Sequence, residues 1–260
     1  MENCILIKRI SDIVLLILNR PEKRNALSPQ IVNELTRQID DIAGDKSVKA
    51  LIITGAGKAF CAGADLAYLQ KLSKYSDKDN MQDSQSLADL FHKLYRLPKL
   101  TIAMVNGPAL AGGCGLALCC DYIFAGQENA SFGFTEVRIG FIPAIVMNFI
   151  IRKVPLQLAN HLALSGGILS AEEAKTMGLV YELFPAAELE KQTVGFVANL
   201  LEQNSFTAMM QTKNLFQNLL DLPLNSGLEL AGRTNAQSRK TADCQKGLKA
   251  FLNKQKINWR

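Results

Sequence analysis

Gly57-Lys-Ala-Phe-Cys-Ala-Gly-Ala-Asp-Leu66 and Val105-Asn-Gly-Pro-Ala-Leu-Ala-Gly-Gly-Cys-Gly-Leu116 form two glycine-rich turns. An apolar run of strand character precedes each, residues 48–54 before the first and 101–105 before the second. Small residues at such turns let backbone N–H groups come close to a bound atom. Two N–H groups from separate turns can hold one developing oxyanion. The pair therefore suits an enolate or tetrahedral intermediate, and that stabilisation needs no metal.

Residues 5–8 and 13–18 read as strands and 19–25 as a polar loop. Ser28 followed by Pro29 marks a helix start. Ile31, Val32, Leu35, Ile39 and Ile42 give that helix one apolar face to about residue 43. A short helix should follow Leu66. Residues 71–86 are polar and charged, and read as a mobile connection or partly ordered helix before a helix at 87–97. The second turn opens an apolar helix to about residue 120, followed by a strand at 122–125. This alternation predicts an α/β fold. Beyond about residue 144 helices dominate. Ser170 with Glu173 predicts a capping box, and 179–184 a late strand. Helices are expected at 187–203, 206–220, 224–239 and 241–253. The expected division is a core over residues 1–195 and a C-terminal helical region over 196–260.

Composition narrows the function. The chain has 260 residues, 48% hydrophobic, enough for a substantial core. Lys and Arg number 29 against 24 Asp and Glu, a net charge of +5. That excess suits a small anionic ligand, and no basic block interleaved with aromatics suggests nucleic acid. The six cysteines include no Cys-x-x-Cys pair, and there are only two histidines, so a metal site is not expected. Free thiols, no targeting signal at the N-terminus and no run of membrane-spanning length lead to an expectation of cytoplasm.

Six segments in order resemble the crotonase (enoyl-CoA hydratase/isomerase) superfamily. Besides the two turns, they are Asn19-Arg-Pro-Glu-Lys-Arg-Asn-Ala-Leu27, Phe132-Gly-Phe-Thr-Glu-Val-Arg-Ile-Gly-Phe-Ile-Pro143, Leu169-Ser-Ala-Glu-Glu-Ala174 and Gly247-Leu-Lys-Ala-Phe-Leu252. The resemblance implies the crotonase (ClpP-like) fold, repeated ββα units with a C-terminal helical trimerisation region. It implies an acyl-CoA substrate, coenzyme A present only as part of that substrate, no tightly bound cofactor or metal, and a homotrimer or dimer of trimers. No nucleic-acid or membrane partner is implied.

By the same resemblance, Ala64 and Gly112 supply the oxyanion N–H groups and Glu136 moves protons. Read without it, Glu136 would be a structural acid pairing with Arg138 or capping a turn. Coenzyme A would run along Ala62, Gly63, Ala64, Asp65 and Leu66, near Lys23 and Arg24 and past Gly112 and Gly115. Phe251, Lys254 and Lys256 would reach a neighbouring subunit's site. Many members carry lysine where this chain has Ala67. Many hydratases carry a second glutamate where this chain has Gly115, while Asp121 matches a structural position.

The loss at Gly115 has two readings. One is a Δ3-Δ2 enoyl-CoA isomerase working with a single carboxylate. The other is a hydratase of branched or carboxylated substrates, and the 132–143 segment looks most like methylglutaconyl-CoA hydratases. Hydration or dehydration of an enoyl-CoA is the leading expectation. A non-catalytic acyl-CoA-binding protein is the alternative of another class. Cys61 and Cys114 border the turns and read as packing residues, because no base lies near in sequence.

Overall fold

The computed structural model describes residues 3–260 and divides into two compact units, one ending at Thr193 and the other Val194–Arg260. The first unit is built on a sheet of six strands in the order β1 (Ile5–Ile10), β2 (Ile13–Leu18), β3 (Ala50–Gly55), β4 (Leu100–Val105), β6 (Tyr122–Gly126) and β9 (Glu182–Phe184). The first pair is antiparallel and the other pairs are parallel. The two central strands β3 and β4 are buried along their whole length, which is why they read as continuous apolar runs. The edge strand β1 is mostly exposed and carries Lys8 and Arg9, charges that discourage a further strand from adding there.

Helix α1 (Pro29–Gly44) buries Ile31, Val32, Leu35, Ile39 and Ile42. Ser28 caps it by accepting the Ile31 N–H. The short α2 (Leu66–Leu72) is capped by Asp65, whose side chain accepts from the N–H groups of Ala67 and Tyr68. Of the two expectations for residues 71–86, a mobile connection or a partly ordered helix, the structure has the helix: α3 runs Asp77–Arg96 without interruption. Ser76 caps it, and Asp77 and Asp79 favour the positive end of its dipole. Its early turns bury none of their side chains, so no apolar period marks them. The buried Leu90, Phe91 and Leu94 lie only in the later turns.

A second sheet is too short to be legible in the sequence. It joins β5 (Pro108–Leu110), β7 (Ser131–Gly133) and β8 (Ile168–Ser170). Leu110 pairs with Gly133 in the parallel β5–β7 ladder. This register sets the start of α4 (Gly112–Leu118) beside the 3-10 turn Glu136–Ile139. Helices α5 (Ala144–Ile150), α6 (Leu156–Ser165) and α7 (Ala171–Thr176) follow, and α7 begins with the expected capping box. The late strand expected over residues 179–184 is confined to 182–184.

The second unit takes in the later part of α8 (Leu189–Gln203), with α9 (Phe206–Leu219), α10 (Leu224–Ser238) and α11 (Ala242–Leu252). Ser205 Oγ donates to the Asp243 carboxylate at 2.6 Å, tying the start of α9 to the start of α11. No helix among the described residues is long and apolar enough to cross a membrane.

Ser76→Ala tests the origin of the long α3. Losing an N-cap oxygen costs about 1 kcal/mol. Amide hydrogen exchange should quicken over residues 77–80 while the strands keep their protection. Unchanged exchange at 77–80 would mean that the cap does not hold this end.

Candidate active site

The first glycine turn lies between two other segments, and backbone hydrogen bonds fix it to both. Toward the early loop, the Ala62 N–H donates to Arg24 O at 3.0 Å and the Leu27 N–H to Gly63 O at 2.7 Å. The Asp65 N–H returns to Leu27 O at 3.0 Å. Toward the second turn, the Cys61 N–H donates to Pro108 O at 3.1 Å and the Leu110 N–H to Cys61 O at 3.0 Å. The bridge between Leu27 and Ala64 uses the groups on either side of Ala64. Among the described residues, the Ala64 N–H donates to no protein acceptor.

Gly63 lets the two turns meet. Its φ is +88°, and a methyl group there would lie 2.7 Å from Ala111 Cβ and 3.3 Å from Gly112 N. Only glycine tolerates both demands. Gly112 is the first residue of α4, where an N–H has no intrahelical acceptor, and it too lacks a protein partner among the described residues. Ala111 just before it has φ 51° and ψ −126°, a conformation costly for any residue with a Cβ. The Ala111 N–H donates to Gly133 O at 2.7 Å, which holds that shape. Two free, half-buried N–H donors thus flank a tight backbone contact.

Glu136 opens the turn after β7 and is only 8% exposed. Its Oε2 is buried without a hydrogen-bond partner, and the carboxylate makes no ion pair with Arg138 among the described residues. Burial raises its pKa above the usual carboxylate range, partly offset by a hydrogen bond from its own backbone N–H. A carboxylate in this state is poised to exchange a proton.

Gly115 does not open onto a vacancy. A methyl group there would lie 2.2 Å from Val146 Cγ1 and 3.0 Å from Phe91 Cε2. Both neighbours are core residues, so apolar packing seals the direction a side chain at 115 would take. Val146 gives no local signal of this role, because its position over Gly115 arises only when α5 packs on α4.

Lys23 and Arg24 are exposed at the rim of the early loop. Ala62 is half-buried, and Leu66 is 64% exposed. Asp65, besides capping α2, lies 3.5 Å from Arg20 Nη2. Phe251, 82% exposed, and the exposed Lys254 and Lys256 belong to the second unit. Asp121 accepts from the N–H and hydroxyl of Thr101 at 2.8 and 2.9 Å and serves the sheet. Burial pushes the Cys61 and Cys114 thiols up to about 12, so neither is a nucleophile at neutral pH. No group of three or more His, Cys, Asp or Glu is arranged to hold a metal among the described residues.

Residues 9–260 match the family model described as Enoyl-CoA hydratase/isomerase. A Thermus thermophilus protein named "Putative enoyl-CoA hydratase" is 41% identical over 93% of this chain and 95% of its own. The 2,3-dehydroadipyl-CoA hydratase of Escherichia coli is 34% identical over 96% of each chain. The crystal structure of an enoyl-CoA hydratase from Mycobacterium smegmatis superposes with a TM-score of 0.93 at 29% identity, over 99% of each chain. The crotonase fold implied by the resemblance is the fold of this chain. On these matches, which run nearly end to end, the protein belongs to the enoyl-CoA hydratase/isomerase family.

Proposed function

We propose that the protein adds water across the double bond of a 2-enoyl-CoA thioester, or removes it in reverse. One observation carries the reading: two unpartnered N–H groups beside the Gly63–Ala111 contact, with a buried carboxylate on the turn next to them whose Oε2 has no hydrogen-bond partner. The thioester oxygen accepts from the Ala64 and Gly112 N–H groups. Glu136 takes a proton from water, whose oxygen bonds to C3 while the C=C electrons move onto the thioester as an enolate. Glu136 then delivers that proton to C2 and the carbonyl reforms. The same carboxylate moves the proton in both steps, so the reaction balances without a second acid.

The two donors gain most from the enolate oxygen, so they act on the transition state more than on the ground state. Each is worth about 2.7–4 kcal/mol in comparable sites. Coenzyme A lies along residues 62–66 by this reading, with Lys23 and Arg24 facing its phosphates. Such exposed cations contribute about 0–1 kcal/mol each. Phe251 and Lys254 would serve the site of a neighbouring copy in a trimer or dimer of trimers, which would also cover the exposed Phe216, Leu228 and Leu252. The cytoplasm is the compartment we assign.

The apolar seal over Gly115 favours a second reading. With one carboxylate, the same site can take a proton from C2 of a 3-enoyl-CoA and return it to C4, shifting the double bond. A panel of straight, branched and carboxylated enoyl-CoA esters with product analysis separates the two. 3-Hydroxyacyl products support hydration, and a moved double bond without added water supports isomerisation. No turnover with tight ester binding would leave a non-catalytic binder.

Variants at positions 136 and 115 test the roles. Glu136→Gln should lower kcat by about 10²–10⁴-fold while keeping ester affinity. Wild-type turnover in that variant would remove Glu136 from the mechanism. In the wild-type enzyme, activity should rise with pH through a limb above the usual carboxylate range, because the base must be ionised and burial opposes ionisation.

The same burial gives a stability prediction. A carboxyl whose folded pKa is raised stabilises the fold below its unfolded pKa, and that contribution is lost as pH rises through the folded pKa. Glu136→Gln should therefore raise Tm near neutral pH and leave it unchanged in acid. A Tm gain independent of pH would contradict the burial argument.

Gly115→Glu should fail to add a working second carboxylate. Overpacking against Val146 and Phe91 costs about 1–3 kcal/mol or more. Tm should fall in the single variant and recover in part when Val146→Gly is added. A stable Gly115→Glu protein with faster hydration would show that the seal yields.

A further inference from the structure

We infer that Asn106, with Asn25 on the opposite flank of the first turn, sets the separation of the Ala64 and Gly112 N–H groups. The inference rests on the oxyanion reading above. Asn106 is the residue that follows β4 and leads into the second turn. Its Oδ1 accepts from the Gly55 N–H at 3.1 Å and from the Thr54 hydroxyl at 3.2 Å. Its Nδ2 donates to Gly57 O at 3.0 Å. The Gly55 N–H can only donate, which fixes which end of the amide is oxygen. One side chain therefore holds the first turn both where it leaves β3 and where it bends back.

Asn25, 0% exposed, grips the same turn from the early loop. Its Oδ1 accepts from the Arg20 N–H at 2.9 Å. Its Nδ2 donates to Ala56 O at 2.9 Å and to Ala59 O at 2.8 Å. Residues 54–59 are thus held on both sides by amides rooted in the two neighbouring loops. The packing leaves no slack: a methyl group on Gly107 would lie 2.1 Å from Lys58 O. The limb that ends at Ala64 starts from this clamp, and the limb that ends at Gly112 starts from Asn106 itself. A shift of residues 55–59 therefore changes the distance between the two donors.

Neither asparagine is assigned contact with substrate, so both are positioning residues. Misplacing catalytic groups by about 1 Å can cost about 10²-fold in rate. A residue that only supports folding would lower Tm and leave the thioester carbonyl as polarised as before.

The test uses the full-length protein and an aromatic enoyl-CoA thioester, whose absorption moves to longer wavelength when donors polarise its carbonyl. Asn106→Ala should bind this probe with affinity within about threefold of wild type, yet shift its band less. Its kcat on a turned-over enoyl-CoA should fall about 10- to 100-fold with KM little changed. Asn106→Asp keeps the size and the bonds from Thr54 and Gly55 and makes the contact with Gly57 O repulsive. It should give an intermediate shift, and it carries the test alone if the alanine variant does not fold.

A wild-type band shift and kcat in the folded variants would overturn the inference, whatever happens to Tm. A wild-type protein that binds the probe without shifting its band would overturn the oxyanion reading, and this inference with it.

Discussion

The site depends on how closely two loops approach at Gly63. The first turn can touch Ala111 and the start of α4 only because position 63 carries no Cβ and accepts φ of +88°. Much of the unit is arranged to permit that contact. The buried β3 and β4 run parallel and deliver both turns to the same end of the sheet. The small β5–β7 ladder then guides the second chain segment into α4, and its hydrogen bond to Gly133 holds Ala111 in a conformation it would otherwise avoid. Strain at one residue is thus carried by a ladder only a few residues long.

Glu136 lies just beyond the same end of that ladder, three residues after Gly133, and its burial pulls in two directions. A charge that lacks partners is costly to hold inside a protein. The cost raises the pKa and makes the proton easier to keep at neutral pH, which suits a group that must both take and give it. The apolar packing of Val146 and Phe91 around Gly115 adds to this dryness and leaves Glu136 without a second carboxylate at that position. The fold gives up some stability here, and the proposed chemistry uses the result.

What could be read from the sequence followed from where burial leaves a periodic mark. Strands β3 and β4 are apolar throughout because both faces are covered, and α1 shows one apolar face because only one is. The Ser170 capping box was equally plain, since its two partners are neighbours in the chain. Strands β5, β7 and β8 are too short to show alternation, so the ladder that brings Gly112 toward Glu136 left no trace. The first turns of α3 bury nothing, so polar composition there does not separate a helix from a mobile connection. For the site, the turns and Glu136 stood out in their motifs. The seal over Gly115 did not, because α5 reaches α4 only through tertiary packing.

The free donors at positions 64 and 112 belong to the main chain, and this shapes what mutation can do to the protein. A side-chain group is lost by one codon change. A peptide N–H persists through every replacement except proline. Drift at these two positions can alter shape and access while leaving the donors themselves in place. Under the proposed mechanism, the polar grip on the intermediate's oxygen would be transmitted almost as a property of the backbone path.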